Sequence, residues 1–239
     1  MFKMRFEVLV AVVALGSGVC ADALQHTAPI GVASDAKALP TVTFDFDRPG
    51  LPVPRYTIVL HEDGSGTYNA DEVERKSADA AVQQVSAKHV DRPLNLSAEM
   101  TAKIFTTART LNHFDMFCGT KLKNIADTGK KTLSYSGSDG KGSCAYNYSD
   151  DKSISSLTEQ LFAIAYTMDV GRRLDFERRF DRLGLDAEMI SLEKSVQDKN
   201  ALELGNIAPT LRRIADDEEM MQRVRARAVK LLQQGAGSK

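Results

Sequence analysis

Four things are scarce in this 239-residue chain, and each scarcity removes a class of function. There is no excess of charge of either sign, with 31 lysines and arginines against 32 aspartates and glutamates, a formal net charge of −1. The two signs are interleaved, so charge balance points neither to nucleic acid nor to an acidic membrane surface as a partner. Histidines stand only at 26, 61, 89 and 113, and no pair has the i, i+4 spacing of a helical zinc site. Glycine-rich fingerprints are also wanting. Gly64-Ser65-Gly66 lacks the Gly-x-Ser-x-Gly spacing of a nucleophile elbow, and Gly137 to Gly142 joins two strand-like runs instead of opening a helix toward a phosphate. Long apolar runs are absent after Leu15, so no later segment has the 18 or so apolar residues of a spanning helix.

The N-terminus carries the parts of a secretory signal: Lys3 and Arg5, an apolar run from Val8 to Leu15, then Gly16, Ser17 and Gly18. Residues 1–23 are read as a signal peptide. Ala21-Asp22-Ala23 predicts cleavage after Ala23, and Val19-Cys20-Ala21 offers a cut after Ala21. A lipid-anchored Cys20 is the competing expectation, set against the bulk of Val19 before the cysteine. The expected address is periplasmic or extracellular, with no transmembrane anchor in the mature chain.

Either cleavage removes Cys20 and leaves Cys118 and Cys144 in an oxidising space, where they are expected to form a disulfide. A loop of about 26 positions would gain roughly 3.5 kcal/mol by the chain-entropy estimate. The alternative is a free thiol, for which no neighbouring His, Asn or Lys pattern supplies activation.

Residues 24–40 lack periodicity and read as a flexible linker. Val42, Phe44 and Phe46 alternate with Thr43 and Asp45 as in a half-buried strand, which stops at the proline-rich segment 49–54. Tyr56 to Leu60 and Thr67-Tyr68 flank Asp63-Gly64-Ser65-Gly66, a hairpin pattern, and a third strand is expected near Val82 to Val90. Ser97 is a good N-cap for a helix to about Asn112 with Met100, Ile104, Ala108 and Leu111 on one stripe. A second hairpin follows, 131–136 and 143–148. From Ser153, a proposed cap, Ile154, Leu157, Leu161, Ile164, Ala165 and Met168 keep helical period. Gly171 is a candidate break, Gly184 a candidate terminus and Asp186 a candidate cap for a helix through Val196. Residues 207–214 and 218–233 form a helical hairpin. The fold class is therefore α+β: a small antiparallel sheet of hairpins packed by two helices over 41–170, then an all-helical region over 171–239.

Two resemblances attach to these residues. Ile207-Ala208-Pro209-Thr210-Leu211, Ile214-Ala215-Asp216 and Val224 to Leu232 resemble one HEAT-type repeat, with Asp216 or Asp217 and Arg225 in the family's turn and second-helix roles. A single copy cannot bury a stacked core. Residues 56–168, with Asp-Gly at the hairpin turn and Leu96-Ser97 before the helix, resemble a small exported α+β module of uncharacterised bacterial proteins, which implies a fold and no activity.

No catalytic, cofactor or metal residue is assigned. Asp45 and Asp47 share a strand face but are too few oxygens for calcium. Arg172, Arg173, Arg178, Arg179 and Arg182, interleaved with Asp175, Glu177 and Asp181, predict a salt-bridged solvated face. Asn95-Leu96-Ser97 and Asn147-Tyr148-Ser149 are sequons with meaning only in a glycosylating host. The expectation is an exported, non-enzymatic binding or envelope-associated protein, a protein being the candidate partner. A secreted hydrolase using His61 with Asp63 or Asp139 is the alternative.

Overall fold

Alternation decides where the strands lie. A computed structural model describes residues 39–75 and 85–236; the signal segment with Ala21 and Ala23, Cys20, residues 24–38 and 82–84 lie outside the described residues. Strands β1 (Thr41–Asp47) and β2 (Arg55–His61) bury every second side chain, Val42, Phe44 and Phe46 on one and Tyr56, Ile58 and Leu60 on the other. Strands β3 (Ser65–Arg75) and β4 (Val85–Asn95) continue the meander, and β5 (Lys130–Gly137) and β6 (Gly140–Tyr146) add to the free side of β1. Among the described residues the sheet is six-stranded, antiparallel throughout, in the order β4-β3-β2-β1-β5-β6.

A one-residue slip would turn Phe44 and Phe46 outward, so the buried face fixes the register. Helix α1 (Ala98–Thr110) covers that face with Ile104, Phe105 and Ala108, and Ser97 caps it, its Oγ accepting from the Met100 amide at 3.3 Å. Helix α2 (Lys152–Phe180) covers the rest with Ile154, Leu157, Leu161, Ile164, Ala165 and Met168. Its cap is Asp151 and not Ser153: one carboxylate oxygen accepts from the Ser153 and Ile154 amides at 2.7 and 3.1 Å, which reaches further into the first turn than a hydroxyl would.

Gly171 does not interrupt α2. It is a contact position, since a Cβ there would lie 2.4 Å from Ile207 Cγ2, and the helix continues to Phe180. Asp181 ends α2 and caps helix α3 (Arg182–Gln197), accepting from the Gly184 amide at 2.9 Å; Gly184 is therefore inside α3 and terminates nothing. Asp186, expected as a cap, faces helix α5 (Gln222–Ala236), pairing with Arg223 at 2.8 Å and Arg227 at 3.0 Å. Helix α4 (Ala208–Ala215) follows a 3-10 turn, Leu204–Ile207.

The buried apolar residues described fall into two clusters. One lies between the sheet and α1 and α2; the other gathers Val170 and Leu174 of α2 with α3, α4 and α5, through Leu185, Met189, Leu192, Leu211, Ile214, Val224 and Leu231. The change from one cluster to the other falls between Met168 and Val170, inside one uninterrupted helix.

The arginines of α2 pair across elements more than along the helix. Arg172 reaches Glu72 of β3 at 2.6 Å and Arg178 reaches Asp217 at 3.2 Å; Arg182, the first residue of α3, reaches Glu219 at 2.6 Å. Asp175 holds Arg213 of α4 at 2.7 Å. The cluster fastens α2 to its neighbours.

Candidate functional site

The residues singled out as hydrolase participants are each engaged by other partners. His61 ends β2, its Nδ1 3.1 Å from the Thr41 hydroxyl across the strand pair. Asp63 closes its own turn, accepting from the Ser65 hydroxyl and amide at 2.6 and 2.9 Å, bonds that hold its carboxyl below the ordinary range. Asp139, in the β5–β6 turn, accepts from Arg109 Nε at 2.7 Å and from the Tyr135 hydroxyl at 2.7 and 2.9 Å. Those two donors hold it at about 2, while burial and the bond to Asp139 push Tyr135 up to about 12. Arg109 is shared with Glu62 at 2.6 Å. A general acid or base works best with a pKa near the operating pH, and these partners move Asp139 and Tyr135 away from it in opposite directions.

What this cluster does is hold a strained turn. Asn112, His113 and Phe114 have φ of 50°, 56° and 64°, three successive non-glycine residues in the left-handed region. Phe114 is fully buried, and the His113 ring packs on Tyr135 with centroids 4.7 Å apart. Gly140 and Gly142 let the turn come close: a Cβ would meet His113 Nδ1 at 2.4 Å from the first and the His113 carbonyl at 2.5 Å from the second. Just beyond, the sulfurs of Cys118 and Cys144 stand at bonding distance, 1.97 Å, with Cα atoms 5.8 Å apart, so the helix exit is tied to β6. Two glycines alternating on one strand were the sequence signal of this close approach.

Asp45 and Asp47 lie on the outer sheet face, Asp45 accepting from Thr57 at 2.6 Å and Asp47 standing 3.4 Å from Arg55. Among the described residues no group of three His, Cys, Asp or Glu is placed to hold a metal ion.

A second region has the form of a binding site. Inward positions of β1, β2 and β3 supply Phe46, Tyr56 and Tyr68, with ring centroids 5.0 Å apart in the first pair and 5.7 Å in the second. The proline-rich loop brings Leu51 and Val53, pinned by the Arg48 amide to the Pro54 carbonyl at 2.7 Å and the Val73 amide to the Pro52 carbonyl at 3.0 Å. Helix α2 supplies Phe162, Ala165, Tyr166 and Asp169, spacings that place them along one stripe. Phe162 meets Phe46 edge-on at 5.3 Å, a favourable ring geometry. Together these walls enclose an open groove of about 450 Å³, within the range of small-molecule sites.

Its polar groups are few and placed at the edges. Tyr56 and Tyr68 are 7% and 3% exposed, and neither hydroxyl has a hydrogen-bond partner among the described residues. Burial pushes both phenols up. At one end Asp169 is neutralised by Arg172 at 3.0 Å and by Arg173, which also holds Glu188 at 2.6 Å. Arg48 stands at the other end, beside Gly129 at the entry to β5, whereas Asp169 and its partner Arg172 face Glu72 of β3 on the far side of the sheet order. The sequence hid this groove, because Phe46 and Tyr56 obey the strand alternation of core residues; the available signal was Phe162 and Tyr166, aromatic at i, i+4 and outside the apolar set 154, 157, 161, 164, 165 and 168.

Comparison with protein families, curated proteins and solved structures finds no match for this chain.

Proposed function

We propose that this chain is an exported, non-enzymatic binding or envelope-associated protein whose ligand seats in the groove between the proline-rich loop, the inner sheet face and α2. The observation that carries the reading is the aromatic groove of about 450 Å³ walled by Phe46, Tyr56, Tyr68, Phe162 and Tyr166, in which the Tyr56 and Tyr68 hydroxyls form no hydrogen bond to the described residues. Neither hydroxyl is among the fully buried polar atoms that lack a partner, so each is open to exchange with a ligand's polar atom. Export is supported by the N-terminal charge, apolar run and small residues, and by Cys118 and Cys144 at disulfide distance, a bond suited to an oxidising compartment. The non-enzymatic side of the reading is supported by the saturation of Asp139 by Arg109 and Tyr135, and by the engagement of Asp63 in its own turn.

The test uses a neutral apolar fluorophore, N-phenyl-1-naphthylamine, titrated into the folded protein. Saturable enhancement is expected, and it should disappear in Val53→Trp, which fills the groove from its rim while leaving the circular dichroism spectrum unchanged. Absence of saturable binding, or equal binding by the folded variant, overturns the assignment of the groove. Export is checked separately: N-terminal sequencing of protein from the envelope or medium should begin at Leu24 or Asp22, and an unprocessed cytoplasmic chain would refute it.

A further inference from the structure

The groove is electrically lopsided, and this restricts what fits it. Its one carboxylate, Asp169, already has two arginine partners, so the α2 end is close to neutral. The opposite end carries two positive charges without a paired acid among the described residues. The Arg48 guanidinium forms neither an ion pair nor a hydrogen bond there. Its stem is nevertheless placed: Gly129, at φ +92°, packs so closely that a Cβ would lie 2.8 Å from Arg48 Cβ and 2.7 Å from Phe46 Cε2. The side chain therefore springs from a fixed point on the groove rim.

Lys131 is the second cation, 4% exposed on the inner face of β5. Its ammonium is held by the carbonyls of Thr128, Gly129 and Asn147 at 3.2, 2.9 and 2.6 Å and by the Thr128 hydroxyl at 2.9 Å, all uncharged oxygens. It stands 5.8 Å from the centroid of Phe162, whose ring forms the groove wall, and 6.0 Å from that of Tyr146. Asp127 is the acid that acts on it electrostatically, and an Asp127 carboxylate oxygen is engaged by the Gly129 amide at 2.9 Å. Burial lowers the basicity of Lys131, and the charge on Arg48 lowers it further. A buried cation that lacks an ion-pair partner is costly, and an anion brought to this end of the groove would relieve that cost.

Resting on the groove as the binding site, we infer that its ligand is a small apolar acid: a ring-bearing or otherwise apolar body of a size for about 450 Å³, with one carboxylate at the Arg48 end. Arg48 offers a planar fork that matches a carboxylate with two parallel bonds. Lys131 adds field from behind Phe162 without touching the ligand. The apolar body lies against Phe46, Tyr56, Phe162 and Tyr166, and the hydroxyls of Tyr56 and Tyr68 are available to its remaining polar atoms.

The experiment compares 4-phenylbutyrate with 4-phenylbutyramide, nearly equal in shape and differing in charge, as displacers of N-phenyl-1-naphthylamine. The acid is expected to displace at about tenfold lower concentration, the worth of one charge-assisted contact. In Arg48→Gln that preference should shrink to the small remainder that the Lys131 field supplies, while the amide's own affinity stays as in the wild type, a result that mere unfolding would not give. Equal displacement by acid and amide overturns the inference and leaves the groove assignment standing. A preference for the acid that is undiminished in Arg48→Gln also overturns it, because the anion would then be recognised elsewhere. If the naphthylamine itself fails to bind, the groove assignment falls and this inference falls with it.

Discussion

Replacing Glu203 should expose how the helical region is fastened to the sheet. Glu203 precedes the 3-10 turn at 204–207 and is left-handed, with φ 56° and ψ 46°. Its two carboxylate oxygens accept from the Ser97 amide at 2.8 Å and the Ser97 hydroxyl at 2.7 Å. Ser97 is the cap of α1, and in a capping box the residue three positions into the helix would return this bond. That residue is Met100, which has no acceptor to offer. Glu203, 106 positions away, occupies the vacant role, and its charge also lies at the positive end of α1.

The magnitudes follow from these contacts. A hydrogen bond to a charged group is worth about 1.5–3 kcal/mol. With both residues half-buried, Glu203→Ala should cost about 2–3 kcal/mol for the pair of bonds, toward the lower end of the sum. The alanine also keeps a left-handed backbone that costs roughly 1 kcal/mol in a residue with a Cβ. Glu203→Gly loses the same bonds and sheds that strain, so it should be about 1 kcal/mol more stable than the alanine variant. Glu203→Gln keeps one acceptor and should fall between glycine and wild type.

At about 2–4 °C per kcal/mol for a chain of this size, thermal unfolding followed by circular dichroism should place the alanine variant roughly 5–10 °C below wild type. The expected order is wild type, Gln, Gly, Ala. Adding Ser97→Ala to Glu203→Ala should cost less than the sum of the single changes by about 1–2 kcal/mol. A Glu203→Ala midpoint within about 1 °C of wild type would refute the fastening, and a glycine variant less stable than the alanine would refute the strain.

Three other changes test neighbouring parts of the structure. Replacing both Cys118 and Cys144 by alanine should cost about 3.5 kcal/mol by the loop-entropy estimate, roughly 7–14 °C in midpoint, and two thiols labelled in denatured, unreduced wild-type protein would refute the bond. Gly171→Ala gains up to about 1 kcal/mol of helix propensity but drives a Cβ into Ile207, for which overpacking costs about 1–3 kcal/mol; a net loss near 1 kcal/mol is expected in urea unfolding, and a gain would show that α2 and the 204–207 turn move apart freely. Asp139, with its folded pKa near 2 and an unfolded value near 3.8, contributes stability that is fully present above pH 3.8 and lost as pH falls through about 2; the stability gap between wild type and Asp139→Asn should therefore be constant at pH 5–7 and narrow on acidification, and a gap that widens in acid would refute the assignment.

Where one residue's neighbours in sequence are also its neighbours in space, the structure was readable in advance. The strands β1 and β2, the cap at Ser97, the second hairpin and the α+β class all rest on alternation, helical period or turn chemistry within a dozen residues. The pairing of Cys118 with Cys144 was readable for another reason, since loss of Cys20 would leave only those two. The misplaced caps share one cause. Ser153 and Asp186 are good capping residues by type, but Asp151 and Asp181 stand earlier and take the role first, which frees Asp186 for two arginines of α5. Gly171 looked like a break because propensity is local, whereas its reason is Ile207, 36 positions on. The groove escaped for the same kind of reason: each wall residue is an ordinary core residue in its own element, and only assembly leaves a gap between them.

The helical region has a definite relation to that groove. The far wall, Tyr166 and Asp169, lies on the stretch of α2 where the two buried clusters meet, and it is steadied from the helical side. The Ser195 hydroxyl of α3 donates to the Tyr166 hydroxyl at 3.2 Å, and the Arg173 guanidinium lies 5.7 Å from the Tyr166 ring while gripping Glu188 of α3. The Leu202 amide bonds the Ala163 carbonyl at 3.4 Å, and the Asn95 amide of β4 donates to Asn206 at 2.7 Å, so the segment leading into α4 is laced to the same helix and to the sheet. A hairpin held in this way has Leu211, Ile214, Val224 and Leu231 fully buried, which leaves its apolar stripe unavailable to an outside partner. Its effect on binding is therefore indirect. Loosening it should move Tyr166 and weaken the groove, so that a ligand in the groove and an intact C-terminal region stabilise one another.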